Sequence, residues 1–411
     1  MTATQVDVRQ KVLVIGAGFG GLTAATSLAK SGKFEVTVVD RHSYQLFAPL
    51  LYQVATGGLP EDDIAYPIRA AIPGVKFIRG EVIRVSLDAN NVRLEDGRVL
   101  YFDELVFAVG STGTTFGIPG VEENALQMKD LHQARAIRNR LLQTYEDVET
   151  GTKPKEAMRV VVVGGGPTGV EVSGAIAELQ KSMTREFPAI SKNASVTLVE
   201  AGPRLLPSFS EKSSQNAKQD LEELGVHVKV DSAVDRMYPS DVHLKSGEVL
   251  PAGTIIWAAG VAAPSEWKVL GEIDRSNRLM VSQTLRLRPN VWVLGDLAHV
   301  VGEGDRPLPM VASVAMQQGR YVAKSIEKLL NGQEPTAFKY KDKGQMATIG
   351  RRRAVVELPN GLRMRGTLAW LVWLGLHVFY LAGGRNRISV LADWFWNYIS
   401  WGIGPKRPVI D

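Results

Sequence analysis

Cysteine is absent from the 411-residue chain, and its absence excludes several kinds of redox chemistry. A chain without a thiolate has no redox-active cysteine pair and no group that could capture sulfur or peroxide. It also has no cysteine ligands for zinc or for an iron–sulfur cluster. The six histidines show no spacing typical of metal ligands, so we predict no metal site.

Hydrophobic runs long enough to cross a membrane are missing as well. The apolar stretch 367–382 is short, contains one histidine and has arginines on both sides. As a helix it would be roughly 24 Å long, whereas the hydrocarbon core of a bilayer is about 30 Å thick. We therefore expect this stretch to lie in the plane of a membrane surface.

Targeting segments and low-complexity tracts are also not found. Residues 1–7 form neither a signal peptide nor an arginine-rich presequence, so we expect the protein to stay in the compartment where it is made. The chain has no long linker between its apolar segments. Its length is sufficient for two or three domains.

Two copies of one glycine fingerprint are present, Gly16-x-Gly18-x-x-Gly21 and Gly164-x-Gly166-x-x-Gly169. Each copy follows a β-branched run and precedes a stretch of small residues, which predicts a strand, a tight turn and a helix. The glycines allow the turn, the approach of the backbone to a pyrophosphate and close packing of helix on strand. We expect an α/β fold with two Rossmann-like dinucleotide-binding domains and a C-terminal helical region at a membrane interface.

Each fingerprint has an acidic partner at the end of a second predicted strand, Asp40 in the first and Glu200 in the second. Such an acid accepts hydrogen bonds from a ribose hydroxyl; the alternative is a solvated strand end. No arginine follows Glu200 before Arg204, so the carboxylate would repel a 2′-phosphate and NADH is favoured over NADPH.

The first fingerprint is assigned to FAD. A strand that ends in Gly295-Asp296 supports this, because such a pair contacts the ribityl and phosphate groups in flavoproteins with two dinucleotide domains. Two further strand ends match each other, 107–110 and 257–260. From the motifs, together with a resemblance to flavoproteins that have two dinucleotide domains, the residues expected at FAD are Gly16, Gly18, Phe19, Gly20, Gly21, Asp40, Arg41, Gln53, Thr56, Val82, Ala108, Gly110, Gly295 and Asp296. Those expected at NADH are Gly164, Gly166, Pro167, Thr168, Gly169, Glu171, Glu200, Ala259 and Gly260.

The order of these motifs resembles the superfamily of flavoproteins with two dinucleotide-binding domains. Four segments are similar to the type II NADH:quinone oxidoreductases: 45–57, 165–171, 343–351 and 369–398. The resemblance implies electron transfer from NADH through FAD to a membrane quinone without proton pumping. The absence of cysteine argues against the disulfide reductases, sulfide:quinone oxidoreductases and water-forming NADH oxidases of the same superfamily.

The resemblance also implies roles for single residues. Glu171 would lie near the nicotinamide and flavin and act in catalysis, by orienting the nicotinamide or relaying protons. The alternative is that it only stabilises the N-terminus of its helix through the helix dipole. Gln53 would lie beside the flavin, whereas His42 and Tyr44 are interpreted as loop contacts. Lys343, Gln345 and Arg351 are expected to be pocket-wall or structural residues.

A helix predicted over 309–326 is expected at the quinone. Relatives usually carry two glutamines four residues apart on this helix; Gln317 matches the second, and Ser313 replaces the first. Gln318 is expected to face elsewhere. The predicted quinone residues are Ala312, Ser313, Ala315, Met316 and Gln317, with Gln317 also predicted to be catalytic.

The basic charge of the chain is concentrated in its last part. Residues 341–411 carry 11 Lys and Arg against 4 Asp and Glu, and five of the eight tryptophans. Tryptophans and cations beside apolar runs are typical of a membrane interface, so we expect contact with anionic lipid and none with nucleic acid. The alternative is a core helix packed on the flavin domain. The resemblance makes a homodimer through this region plausible.

The expected domains are an FAD-binding domain (1–115 and 261–335), an NADH-binding domain (116–260) and a C-terminal anchoring region (336–411). The expected location is peripheral, on the cytoplasmic face of a bacterial inner membrane. Two other functions stay open: a soluble NADH-dependent reductase serving a small redox protein, and an NADH-sensing flavoprotein.

Overall fold

The computed structural model describes residues 9–302 and 306–399, which form two compact units. Unit 1 comprises the described parts of Met1–Gln45, Tyr66–Thr112 and Val261–Asp342. Unit 2 comprises those of Leu46–Ala65, Gly113–Gly260 and Lys343–Asp411. Trp401, one of the five C-terminal tryptophans, lies outside the described residues.

The described helices are numbered in chain order. They are α1 (Phe19–Ser31), α2 (Leu51–Ala55), α3 (Ile68–Ala71), α4 (Val121–Asn124), α5 (Leu131–Glu149), α6 (Pro167–Met183), α7 (Glu211–Glu223), α8 (Ala312–Leu330), α9 (Gly366–Tyr380) and α10 (Gly384–Ile399). Short strands at Tyr44–Leu46, Ala65–Pro67, Thr112–Gly113 and Val261–Ala262 occur where the chain passes from one unit to the other.

A six-stranded sheet forms the centre of unit 1. Its strands lie in the order Arg286–Arg288, Val291–Val293, Glu104–Phe107, Gln10–Ile15, Phe34–Asp40 and Lys76–Arg79. All neighbours are parallel except the first pair. The smaller sheets are Val82–Ser86, Asn91–Leu94 and Val99–Tyr101, and Leu279–Met280 with Ala298–His299. Strands buried on both faces read as continuous aliphatic runs, as residues 12–15 do.

Unit 2 repeats the arrangement around a five-stranded parallel sheet. Its strands lie in the order Leu126–Gln127, Thr254–Trp257, Arg159–Val163, Ser195–Val199 and Val226–Lys229. A second, antiparallel sheet contains Val234–Tyr238, Asp241–Leu244 and Val249–Pro251. The predicted α/β class with two Rossmann-like folds is therefore confirmed.

The C-terminal segment of unit 2 begins with an antiparallel sheet of Gln345–Gly350, Arg353–Glu357 and Arg363–Arg365, which we call the C-terminal sheet. It is followed by α9 and α10. No helix in 9–302 or 306–399 is both long and apolar enough to cross a membrane.

The units differ from the predicted domains at two places. The segment 336–411 was expected to be a separate region, yet the structure packs its described residues from 343 onward into unit 2. Residues 46–65 were expected in the first domain and also belong to unit 2. The reason is close packing: the C-terminal sheet lies against α6, and α2 packs against α5 and α6.

Gly174 is the point of closest approach between α6 and the C-terminal sheet. A Cβ added at Gly174 would overlap the carbonyl oxygen of Ile349. We predict that Gly174→Ala lowers the free energy of unfolding by about 2 kcal/mol, because the sheet would be pushed away from the helix. Denaturant unfolding of the purified variant measures this change.

Gly375→Ala is the matched control. Gly375 lies inside α9 and an added Cβ there meets nothing within 4 Å. Alanine is the better helix former by roughly 0.5–1 kcal/mol, so this variant should be as stable as the wild type or slightly more so. Equal stability of Gly174→Ala and the wild type would contradict the packing argument.

Candidate active site

The first fingerprint forms a tight strand-to-helix turn in unit 1. Gly16 has φ +94°, and an added Cβ would overlap the carbonyl oxygen of Ala108. Gly21 has no room for a side chain either, because its Cβ would overlap Gly16 O. Gly18, by contrast, has nothing within 4 Å on its Cβ side. The turn is therefore closed toward the protein and open on one side, as a pyrophosphate requires.

Asp40 holds this turn. Its Oδ2 accepts a hydrogen bond from the Ala17 N–H at 2.7 Å, and its Oδ1 accepts one from the His42 N–H at 2.7 Å. Asp40 thus stabilises the glycine turn through hydrogen bonds and is more than a solvated residue at the end of a strand.

The remaining residues predicted for FAD within unit 1 are spread around the same sheet edge and its neighbours. Phe19 and Gly20 begin α1, and Asp296 accepts a hydrogen bond from the Ser111 hydroxyl at 2.5 Å. Arg41 contributes its carbonyl oxygen to Arg79. Gly110 has φ +76°, and Val82 is a core residue of a smaller sheet.

Gln318 was expected to face elsewhere than Gln317. Its side chain is 1% exposed and its Oε1 accepts the Gly295 N–H at 2.6 Å, whereas Gln317 contacts the Lys341 backbone. The Gly-Asp turn is therefore fixed by α8. Sequence adjacency to Gln317 concealed this role, since neighbouring helix positions point in directions about 100° apart.

The helix predicted over 309–326 is α8, Ala312–Leu330. Ser313 Oγ lies 3.0 Å from the hydroxyl of Tyr340, and Gln317 exchanges two hydrogen bonds with the backbone of Lys341 at 2.8 and 3.0 Å. Both side chains thus fasten the segment that follows α8. Ala312, Ala315 and Met316 lie on the first two turns of the same helix.

The second fingerprint repeats the geometry in unit 2. Gly164 has φ +113°, and an added Cβ would lie 2.8 Å from Ala259 N. A Cβ on Gly169 would overlap Gly164 O, while Gly166 again has nothing within 4 Å. Pro167 and Thr168 are the first residues of α6, and Gly260 has φ +74° at the end of its strand.

Glu200 fixes the second turn as Asp40 fixes the first. Its two carboxylate oxygens accept hydrogen bonds from Gly165 N at 2.5 Å and Gly202 N at 2.6 Å. Both acids thus combine a position at the strand end with backbone contacts to the turn.

A cavity that is partly open to solvent lies within unit 2, next to α6. It encloses about 710 Å³ including its opening to solvent. Helices α2, α6, α9 and α10 and the C-terminal sheet contribute its walls. The lining residues are Tyr52, Gln53, Thr56, Gly58, Glu171, Ala175, Glu178, Leu179, Thr348, Ile349, Gly350, Arg351, Trp370, Trp373, Trp394 and Asn397.

Glu171 is the acid of this cavity. Burial raises its pKa to about 8, and the Thr348 N–H at 3.4 Å and the nearby Trp373 indole oppose the rise. Glu171 is the fifth residue of α6 and lies beyond the first turn of that helix. The helix dipole acts within the first turn, so desolvation and not the dipole sets its protonation.

Gln53 and Thr56, predicted for FAD, line the same cavity of unit 2. Gln53 Oε1 accepts the Trp394 indole N–H at 2.7 Å, and Gln53 Nε2 donates to the Tyr52 hydroxyl at 2.8 Å. Thr56 donates to the Tyr52 carbonyl. Of the two residues predicted to be catalytic, Glu171 lies in unit 2 and Gln317 in unit 1.

Helix α10 is pinned to the segment 58–63 by polar contacts. Asn386 donates to the carbonyls of Asp62 and Asp63 at 2.8 and 3.0 Å, and Asn397 donates to Gly58 O at 2.9 Å. The Asp63 carboxyl is buried and faces that of Asp393, and burial together with this second acid raises the pKa of Asp63 to about 7. The contacts hold α10 over the cavity.

Trp373, Trp394 and Thr348 are cavity residues that the sequence analysis missed. The tryptophans were counted as membrane-facing residues, yet Trp373 is 1% and Trp394 4% exposed. The spacing of residues along the helix could have shown which tryptophans are buried. Positions 370 and 373 share one face of α9, whereas 368, 371 and 379 share another.

The comparisons with known proteins agree with this geometry. A family model described as pyridine nucleotide-disulphide oxidoreductase matches residues 10–319, and one described as the NDH2 C-terminal domain matches residues 343–400. The two dinucleotide folds and the first match define a pyridine nucleotide-dependent oxidoreductase.

The curated relatives narrow this class. NdhA of Mycobacterium tuberculosis, a type II NADH:quinone oxidoreductase, is 37% identical over 95% of this chain and 87% of its own. The type II NADH:quinone oxidoreductase of Staphylococcus haemolyticus is 33% identical over 83% and 88%. The structure of NDH2 from Plasmodium falciparum in complex with NADH has a TM-score of 0.88, 21% identity and coverage of 97% and 100%. The chain belongs to the type II NADH:quinone oxidoreductase family.

Glu200 provides a test of the second turn. We predict that Glu200→Ala raises the KM for NADH about tenfold and narrows the preference over NADPH, because a ribose hydroxyl loses its acceptor and a 2′-phosphate is no longer repelled. Steady-state rates with both nucleotides measure this. Glu248→Ala, which removes an exposed carboxylate paired with Lys229 in the same unit, is the control. Unchanged cofactor preference in Glu200→Ala would contradict the ribose assignment.

Proposed function

We propose that this chain oxidises NADH and reduces a membrane quinone, with FAD as its prosthetic group and without pumping protons. The observation that carries the proposal is the combination of two dinucleotide turns with a cavity that holds a buried carboxyl, that of Glu171, whose pKa burial raises. Membership of the type II NADH:quinone oxidoreductase family supports it.

The residues of unit 1 fit FAD. The open side of Gly18 leaves room for a pyrophosphate at the N-terminus of α1, where backbone N–H groups favour an anion. Asp40 stands at the strand end where a ribose would bind, and Gly295 and Asp296 would meet the ribityl and phosphate groups. When bound, FAD supplies the chemistry that couples two-electron oxidation of a nicotinamide to reduction of a quinone.

The residues of unit 2 fit NADH in the same way. The turn at Gly164 and Gly166 would receive its pyrophosphate at the head of α6. Glu200 would bind the ribose, and Ala259 and Gly260 would line the approach along the strand end.

The cavity beside Glu171 is proposed to receive the quinone ring. Its walls combine three indoles with polar side chains, among them Glu171 and Thr348, and small-molecule sites likewise join apolar surface to placed polar groups. NADH delivers two electrons and one proton, so quinol formation takes one further proton from solution. Glu171 can hold that proton at its carboxyl because its pKa is about 8. Ser313 and Gln317 of α8 remain predicted quinone residues.

Glu171→Gln tests the proton-holding role. In the wild type the rate of quinone reduction should fall as the pH rises through about 8, because the carboxyl loses its proton there. The variant should be slower by a factor of about 10²–10³ near pH 7 and should lack this fall, since an amide does not titrate. Stopped-flow rates of flavin reoxidation by a short-chain quinone measure both effects.

Flavin reduction by NADH is the internal control for this variant. It should be unchanged, and an equal loss in both half-reactions would contradict the role. The stability of the variant gives a second check with a known sign. A carboxyl whose pKa is raised on folding makes the fold less stable as the pH rises from about 4.5 to about 8. In Glu171→Gln, the free energy of unfolding should not show this decrease with rising pH.

A lipid surface is the proposed partner of α9 and α10. Leu368, Leu371 and Phe379 on α9 are 54–68% exposed and recur at helical spacing along one side. Ile388, Leu391, Phe395 and Trp396 do the same on α10, at 50–71%. Exposed apolar faces of this kind mark interaction surfaces.

The basic residues around these faces favour anionic lipid. Arg385, at the start of α10, is exposed. We therefore propose peripheral binding of the C-terminal segment to the cytoplasmic face of a bacterial inner membrane. Pairing of two copies through the same segment remains a prediction.

The double variant Leu371→Ser/Phe395→Ser tests the lipid surface. Each side chain loses roughly 1.5–3 kcal/mol of apolar transfer energy, so binding to anionic vesicles should weaken at least tenfold. Val269→Ser, at a residue 79% exposed in unit 1, is the control and should bind as the wild type does. Flotation with liposomes measures binding. Unweakened binding of the double variant would favour a soluble reductase instead.

A further inference from the structure

The indole of Trp373 is a buried polar group that faces the Glu171 carboxyl. Its side chain is 1% exposed and lines the cavity together with Glu171. The Nε1–H is buried and lies beyond hydrogen-bond distance of any partner among the described residues, although it faces the Glu171 carboxyl closely enough to oppose the rise in the pKa of that group. Nearly all buried polar groups are hydrogen-bonded in native proteins, and exceptions often belong to sites that bind something.

Packing holds this indole in one orientation. The His377 ring stacks on it with a centroid distance of 3.9 Å and an interplanar angle of 24°. Tyr52 packs at 6.3 Å and Trp394 at 6.1 Å on its other sides. The donor is therefore preorganised and cannot turn toward another partner.

His377 is neutral beside the indole. Its Nδ1 lies 2.6 Å from the Trp373 carbonyl oxygen, so Nδ1 carries the proton and donates it. Burial lowers the pKa of His377 to about 4. The stacked ring thus places no charge next to the cavity, and the indole N–H beside Glu171 stays a neutral donor.

Trp394 shows the contrast within the same cavity. Its indole N–H is already used, because it donates to Gln53 Oε1 at 2.7 Å. The Trp373 N–H, which has no partner within hydrogen-bond distance, therefore lies next to the Glu171 carboxyl among aromatic rings. A flat ligand with a carbonyl oxygen matches this arrangement, since it offers an acceptor and an apolar ring together.

We propose that Trp373 Nε1–H donates a hydrogen bond to a carbonyl oxygen of the quinone and so positions the ring beside Glu171. This inference rests on the proposed function and names the group that holds the electron acceptor. Trp373 is in this view a substrate-binding residue, and loss of its N–H should weaken quinone binding without affecting the reaction with NADH.

Trp373→Phe in the flavin-loaded enzyme is the first test. Phenylalanine keeps an aromatic ring and removes the N–H. The KM for ubiquinone-1 should rise about tenfold, the effect expected for one lost hydrogen bond. Flavin reduction by NADH and turnover with ferricyanide, which needs no carbonyl contact, should be unchanged. An unchanged KM for ubiquinone-1, or an equal loss with ferricyanide, would overturn the inference.

Trp267→Phe is the matched control, since Trp267 is a buried indole in the core of unit 1. Its KM for ubiquinone-1 should equal that of the wild type.

If the Trp373 variant fails to retain flavin, an experiment on the wild-type enzyme tests whether an indole N–H binds the quinone. With ¹⁵N-labelled tryptophan, one of the eight indole N–H resonances should move downfield when ubiquinone-1 is added. No movement of any indole resonance would overturn the inference.

Different results would contradict the proposed function and the proposed role of Trp373. A wild-type enzyme whose flavin is reduced by NADH but is not reoxidised by ubiquinone-1 contradicts the proposed function. A wild type that reduces ubiquinone-1 with the same KM as Trp373→Phe contradicts only the role of Trp373.

Discussion

The contact between helix α6 and the C-terminal sheet is the constraint on which the cavity of unit 2 depends. Because Gly174 has no side chain, the backbone of the strand at Ile349 can pack directly against the backbone of α6. That approach brings Thr348 and Trp373 to Glu171, one turn earlier on the same helix. The carboxyl is thereby removed from water, and desolvation favours its protonated form. Packing at a glycine thus sets the protonation of an acid.

Helices α9 and α10 each have a buried face that lines the cavity and an exposed apolar face on the other side. The inner faces of α9 and α10 close the cavity with buried indoles, and side-chain hydrogen bonds hold α10 to residues 53–63. The outer faces expose leucine, isoleucine and phenylalanine at the same helical period. One pair of helices therefore joins the face proposed to contact lipid with the buried acid, and this arrangement supports a lipid-soluble quinone as the electron acceptor.

The sequence was sufficient for the fold and for both dinucleotide turns, because glycine spacing and a strand-end acid have few structural solutions. It was less informative about the cavity. Gln53 and Thr56 follow Asp40 closely in sequence, yet α2 packs on α5 and α6 in unit 2. Trp373 and Trp394 read as membrane-facing residues because composition does not show which helix face is buried. Such long-range packing leaves no local pattern in the sequence. The helical spacing of 368, 371 and 379, in contrast, could have distinguished the exposed face of α9 from its buried face at 370 and 373.

The most direct test of the account is a structure of the flavin-loaded enzyme with a short-chain quinone bound. We expect the quinone ring in the cavity of unit 2, with a carbonyl oxygen within about 3.2 Å of the Glu171 carboxyl or the Trp373 indole nitrogen. An ordered quinone elsewhere, with only water beside Glu171, would contradict it.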